Sequence, residues 1–189
     1  MQDHALRQVL PAHAVLSSSE NTTPYECDGL TAYRQRPLCV ALPETYEQVQ
    51  AVLRTCHALQ VPVVARGAGT GLSGGAMPHT DGVTLSLAKF NQILNIDPVA
   101  RTAVVQCGVR NLAISEAAAP HGLYYAPDPS SQIACSIGGN VAENAGGVHC
   151  LKYGLTVHNL LKVRALTMTG EVIELGSDAL DAAAYDVLA

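Results

Sequence analysis

Arg66-Gly67-Ala68-Gly69-Thr70-Gly71-Leu72-Ser73-Gly74-Gly75 follows directly on the short apolar run Val61-Pro62-Val63-Val64-Ala65. A strand that opens into five glycines within residues 67–75 is more than an ordinary surface turn. Glycine permits positive φ and lets a ligand approach backbone that carries no Cβ. Several N–H groups of such a loop can point the same way, which is what an anionic diphosphate needs. The loop reads as a pyrophosphate cradle.

Two other phosphate loops fail on their surroundings. A P-loop ends in Gly-Lys-Ser/Thr to neutralise the outer phosphates, and no lysine occurs between Met1 and Leu87. Gly69-Thr70-Gly71-Leu72-Ser73-Gly74 does match the GxGxxG dinucleotide fingerprint, with Asp97 as a ribose acid at plausible distance. That fingerprint works only where its last glycine opens a helix facing the pyrophosphate. Gly75-Ala76-Met77-Pro78-His79-Thr80-Asp81-Gly82 is too rich in breakers to form that helix, and Asp97-Pro98 reads as a hairpin turn.

Composition narrows the class. With 189 residues, 48% apolar and 14% charged, the chain has the make-up of an ordinary globular protein. A net charge of −5 with three lysines argues against nucleic acid or an anionic membrane surface. A phosphate ligand must then be held by backbone N–H groups. The start, Met1-Gln2-Asp3-His4-Ala5-Leu6-Arg7, lacks a secretory layout, and no apolar run is long enough to span a bilayer. A cytoplasmic place is expected. Cys27, Cys39, Cys56, Cys107, Cys135 and Cys150 form no CxxC pair and read as free thiols. The seven histidines lack metal-ligand spacing, and an adjacent pair of good ligands such as His149-Cys150 does not complete a site, so no metal is expected.

Along the chain, Leu6, Val9 and Leu10 suggest a short helix before the polar Ser17-Ser18-Ser19, and 21–42 looks irregular and extended. Val49, Val52, Leu53 and Cys56 fall at i, i+3, i+4 and i+7, which predicts a helix over 44–60 with Thr45 and Gln48 as a capping box. Val83, Leu85 and Leu87 alternate as in a half-buried strand. Runs 93–97 and 102–107 predict an antiparallel hairpin, and 161–168 with 171–175 a second one around Thr169-Gly170. Asn111 is placed to cap a helix reaching Ala119, with Gly122 beyond its end. Residues 126–150 are turn-rich. A β-α-β beginning followed by paired strands is α+β, built in two lobes.

A second dense window runs from Pro127-Asp128-Pro129-Ser130-Ser131 through Ser136-Ile137-Gly138-Gly139-Asn140-Val141-Ala142-Glu143 to Asn144-Ala145-Gly146-Gly147. Its small donors and acceptors could line a flat aromatic cofactor. It could equally be a capped short helix between two loops. Together with Leu42-Pro43, Ala65-Arg66-Gly67, the glycine loop and Lys152-Tyr153-Gly154, this window resembles the FAD-binding domain of the p-cresol methylhydroxylase and vanillyl-alcohol oxidase family. The similarity runs from about Tyr33 to Leu175. Within the family the wording is similar to the branch holding the FAD-binding subunit of glycolate oxidase and the D-lactate dehydrogenases.

The resemblance implies a two-lobed α+β domain with non-covalent FAD between the lobes. A helical and extended lead-in covers 1–32, and the FAD-binding domain covers 33–189 and is C-terminally incomplete. Arg66, Gly67, Ala68, Gly69, Thr70, Gly71, Leu72, Gly74 and Gly75 would wrap the pyrophosphate. Asp128, Pro129, Ser136, Gly139, Asn140, Asn144, Gly146 and Gly147 would lie along the flavin and ribityl chain. Ile173 would add backbone contacts near the cofactor. Arg66 reads equally as a phosphate partner or as a surface charge at a strand end.

The implied reaction is oxidation of a small 2-hydroxy acid such as glycolate or D-lactate to the 2-oxo acid, with hydride passing to flavin. Companion subunits of an oxidase complex and a peripheral place at the inner face of the membrane go with that reading. Tyr124 and Tyr125 could border a substrate pocket or simply pack, and His121 suits a helix C-terminus. No catalytic set is legible. The family takes its substrate and base residues mainly from a later cap domain. The apolar end Ala182-Ala183-Ala184-Tyr185-Asp186-Val187-Leu188-Ala189 reads as an N-terminal piece of a longer enzyme, cut before that cap and inactive alone. The alternatives are a flavoenzyme of the same fold acting on another alcohol or sugar, and an inactive nucleotide-binding module.

Overall fold

The computed structural model describes residues 2–176 of the chain. In order these form α1 (Gln2–Val9), β1 (Val15–Leu16), α2 (Ser19–Thr22), β2 (Cys39–Ala41), α3 (Tyr46–Ala58), β3 (Val63–Arg66) and β4 (Val83–Ser86). Then come β5 (Ile93–Asp97), β6 (Thr102–Val105), α4 (Asn111–Ala118), α5 (Ile137–Ala142), α6 (Cys150–Tyr153), β7 (Lys162–Leu166) and β8 (Val172–Gly176). The expectation about the apolar end at 182–189 lies outside the described residues.

The first half is a four-stranded sheet of order β1-β2-β4-β3, in which β2, β4 and β3 run parallel and β1 antiparallel. Helix α3 connects β2 to β3 and buries Val49, Val52, Leu53 and Cys56, the four positions its period marks out. The Thr45 side chain accepts from the Gln48 N–H, while the Gln48 side chain accepts from the Glu44 N–H at 2.7 Å, one residue earlier than a regular capping box. Strand β4 differs from expectation. All four of its residues are buried, Thr84 and Ser86 included, because a central strand between parallel neighbours is covered on both faces. Strand β2 lies inside the stretch expected to be irregular, since three residues are too few to display a period.

The two predicted hairpins are present. Asp97 Oδ1 accepts from the N–H groups of Val99 and Ala100, both at 2.9 Å, closing the turn between β5 and β6. Strand β6 stops at Val105, two residues early. Gly170, at φ 73°, turns β7 into β8. Asn111 does not cap α4: Arg110 holds the N-cap position and Asn111 is the first helical residue. Its amide is instead committed to tertiary partners, described below. Gly122, at φ 70°, ends the helical turn that follows α4, as its place suggested.

Two hydrophobic cores result. The larger lies on the sheet and gathers Leu6, Val15, Val52, Leu53, Val83 and Leu85, so α1 and β1 from the N-terminal 32 residues are part of it. The smaller joins Val109 and Ile114 to Ile137, with Ile93, Val105 and Tyr125 packed against it. The glycine loop leaves the first core and the 128–147 window belongs to the second.

Candidate functional site

Strand β3 runs into the glycine loop, and the chain returns as β4 in the neighbouring parallel position with no helix between them. That absence is what separates this loop from a Rossmann turn. Gly69 and Gly74 take φ of 70° and 77°, a region costly for any side chain. Among the described residues, no backbone N–H of 67–75 donates to a protein acceptor. A run of free, glycine-bared donors has the valence an anion requires.

Three residues hold the loop in shape. Arg66 is buried, not a surface charge: Nη1 donates to the Cys27 carbonyl at 2.9 Å and to the Ala76 carbonyl at 3.4 Å. Its guanidinium also lies 5.6 Å from the Tyr25 ring centre, and a Cβ on Gly69 would collide with it. Asp28, also buried, accepts from the Leu30 N–H at 2.9 Å and from the Ala76 N–H at 3.4 Å. Gly29 fits beneath Thr70 and Gly71, where a Cβ would stand 2.8 Å and 2.7 Å from their carbonyl oxygens. Sequence reasoning did not single out Asp28 or Gly29. Asp-Gly marks a turn, but nothing local says that this turn supports a loop 40 residues later.

The second window meets the first. Ser136 caps α5, its Oγ accepting from the Gly139 N–H at 3.4 Å, and it faces Gly67 so closely that a Cβ there would overlap the hydroxyl. The short-helix reading of 137–142 therefore holds together with the contact to the loop. Asn140 is buried: Oδ1 accepts from Asn111 Nδ2 at 3.0 Å, and its own amide approaches Cys135 Sγ at 3.3 Å. Asn111 also donates to the Pro127 carbonyl at 3.1 Å, so one buried amide ties both ends of the window to α4. Asn144, at φ 47°, accepts from the Val157 N–H, and the Pro129 carbonyl accepts from the Gln132 N–H. Gly146 packs on Leu155. Ala68, Leu72 and Ile173 are exposed.

Glu143, unselected from the sequence, reaches across to the loop. Its Oε2 accepts from Ser73 Oγ at 2.5 Å, and Oε1 lies where a Cβ on Gly75 would be 2.5 Å away. This places a carboxylate among the donors of the cradle.

Asp128 lies at the far end of the window. Its carboxylate accepts from His149 Nδ1 at 2.6 Å and from the His149 N–H at 3.2 Å, and these two bonds, the side-chain one first, hold its pKa below the usual carboxylate value. Tyr124 and Tyr125 border a cleft of about 420 Å³ together with Asp128, His149 and Tyr153. Burial pushes the Tyr125 hydroxyl up to about 12. His121 lies in the helical turn after α4. Cys39 and Cys56 are buried and pushed up to about 11 mainly by desolvation, which makes them inert. Among the described residues no three His, Cys, Asp or Glu side chains gather as a metal would need, and no helix is long and apolar enough to cross a membrane.

Residues 37–176 match the family described as FAD binding domain. The chain is 68% identical over 185 residues to the glycolate oxidase subunit GlcD of Escherichia coli (strain K12), covering 98% of this chain and 37% of that protein. It is 37% identical over 164 residues to a D-lactate dehydrogenase of Anaerostipes hadrus, covering 86% and 34%. The structure superposes on an alkyldihydroxyacetonephosphate synthase with a TM-score of 0.81 at 20% identity, over 92% of this chain and 34% of the other. That likeness bears out the α+β fold expected from the resemblance. The chain spans just over a third of the length of the curated relatives it matches.

Proposed function

Because the chain belongs to the FAD-binding domain family, we propose that it is the cofactor-holding part, residues 33–189 with 1–32 as lead-in, of a flavoenzyme oxidising a small 2-hydroxy acid such as glycolate or D-lactate. The observation that carries this reading is the run of N–H groups at 67–75 that donate to no described residue, beside a window already in contact with the loop. The loop would hold the diphosphate, and the stretch from Asp128 to Gly147 would flank the ribityl chain and ring. Bound FAD supplies the two-electron redox chemistry, while the protein supplies position and electrostatics. Arg66, Asp28 and Asn111 keep both segments in place through the bonds described above. The substrate follows from the names of the relatives, a glycolate oxidase subunit and a D-lactate dehydrogenase. The word subunit in the name of the glycolate oxidase relative supports companion chains; the place that goes with this reading is the cytoplasm or the periphery of the inner face of the membrane.

The test is spectroscopic. The purified chain titrated with FAD should bind it weakly, seen as a change in flavin absorbance, and Gly69→Val, which forces a side chain into a left-handed position against Arg66, should lose that binding while remaining folded by circular dichroism. A wild-type chain that leaves the flavin spectrum unchanged, or a variant that binds FAD equally well, would overturn the reading.

A further inference from the structure

Neither residues 67–75 nor residues 127–147 include a lysine, an arginine or a histidine. Arg66, at the edge of the loop, is turned to the carbonyls of Cys27 and Ala76. The window does hold two acids, Asp128 and Glu143, and they differ. Asp128 accepts from the N–H and the Nδ1 of His149. Among the described residues Glu143 has no cationic partner.

The place of Glu143 is fixed from both sides. It ends α5, its N–H donating to the Gly139 carbonyl at 3.0 Å, and Ser73 Oγ donates to its Oε2 at 2.5 Å. The other oxygen, Oε1, lies 2.5 Å from where a Cβ on Gly75 would stand and 3.5 Å from one on Gly71. The carboxylate is held over the second half of the loop, beside the N–H groups that donate to no protein acceptor.

Such donors stabilise an anion through partial charges, while every negative charge brought to them also meets the fixed carboxylate. The phosphates of an internal diphosphate are esterified on both sides and ionise once each. A terminal phosphate has a second pKa of about 6 and carries about −1.5 to −2 at neutral pH. With no cation in either segment, that additional charge goes uncompensated.

We infer that Glu143 sets the charge limit of the cradle: the site admits the internal diphosphate of a dinucleotide and disfavours nucleotides that end in a free phosphate. Glu143 is a specificity-determining residue, with Ser73 holding its carboxylate in place. This limit rests on the diphosphate reading above and adds which diphosphates the loop takes. Both side chains are exposed, so the limit is a graded penalty that salt screens.

ADP-ribose and ATP are the probes, since both present adenosine but only ATP ends in a free phosphate. Calorimetry in magnesium-free, low-salt buffer measures them, and FAD, on wild type, Glu143→Gln and Ser73→Ala. Glu143→Gln should tighten ADP-ribose roughly fivefold and ATP roughly 25-fold, in proportion to about twice the charge. Its carboxamide still accepts from Ser73, and a merely structural Glu143 would change both ligands alike. Ser73→Ala frees the carboxylate without removing its charge and should favour ATP by a smaller factor. Salt at about 0.5 M should bring wild type and Glu143→Gln together. Equal factors for the two ligands, or a difference that salt leaves untouched, overturn the inference. If FAD and ADP-ribose bind and the factors are equal, Glu143 sets no limit and the cofactor reading stands. If the two probes separate as stated and FAD does not bind, the limit holds and the flavin is wrong. Binding of none of the three overturns both.

Discussion

Gly67→Ala probes the contact on which both parts of the candidate site depend. Gly67 is not in the left-handed region, so alanine meets no backbone penalty, but its Cβ would overlap the hydroxyl of Ser136 and stand 3.5 Å from Ser136 Cβ. Overpacking of this kind costs about 1–3 kcal/mol. The hydroxyl that must move is also the N-cap of α5, worth about 1 kcal/mol. The single variant should lose about 2–4 kcal/mol, lowering Tm by about 4–16 °C for a chain of this size. Ser136→Ala should lose about 1 kcal/mol, the cap alone. The double variant removes the oxygen that clashes and leaves the new methyl at ordinary contact distance, so it should also lose about 1 kcal/mol instead of the additive sum of about 3–5. Urea denaturation followed by circular dichroism measures all four proteins. Additivity within about 0.5 kcal/mol would mean that the two windows do not touch here, and the argument that joins them would fail.

Asn111→Ala should destabilise by about 3 kcal/mol, because the buried Pro127 carbonyl loses its donor and the Asn140 amide oxygen keeps only the weak Cys135 thiol; a loss under about 1 kcal/mol in the same denaturation assay would contradict this. Glu143→Gln removes a negative charge from the cradle and should tighten FAD binding roughly fivefold, the worth of about 1 kcal/mol of repulsion in a solvated site; weaker binding in a flavin fluorescence titration would show that the carboxylate assists the cofactor. Cys39 and Cys56, pushed up to about 11, remain thiols below that pH. They should resist alkylation at neutral pH until the chain unfolds, and mass spectrometry of iodoacetamide-treated native protein finding them modified would refute their burial. Asp128, held below its ordinary pKa by His149, adds stability above the usual carboxylate range that is lost as pH falls through its folded value. Asp128→Asn should flatten that acid-side slope in thermal melts taken across pH.

Short-range pattern was enough for helix α3, both hairpins, the glycine loop and the exclusion of a Rossmann turn, because each depends on neighbours a few residues apart. Period places Val49, Val52, Leu53 and Cys56 on one face, and Pro78 with Gly82 prevents the helix a dinucleotide fold would need. The pairing of distant segments was not legible. Thr84 and Ser86 read as solvent-facing until β2 and β3 are known to flank β4. Asn111 reads as a cap until Pro127 and Asn140 are known to surround its amide. The same holds for Arg66, whose charge is turned to the carbonyls of Cys27 and Ala76, for Glu143 reaching Ser73, and for Asp128 fastening His149. Propensity and turn chemistry act within a few residues, so the chain alone sets its elements and the cradle. What each polar side chain binds is decided by groups 10 to 70 residues away, and only the packed fold brings those together.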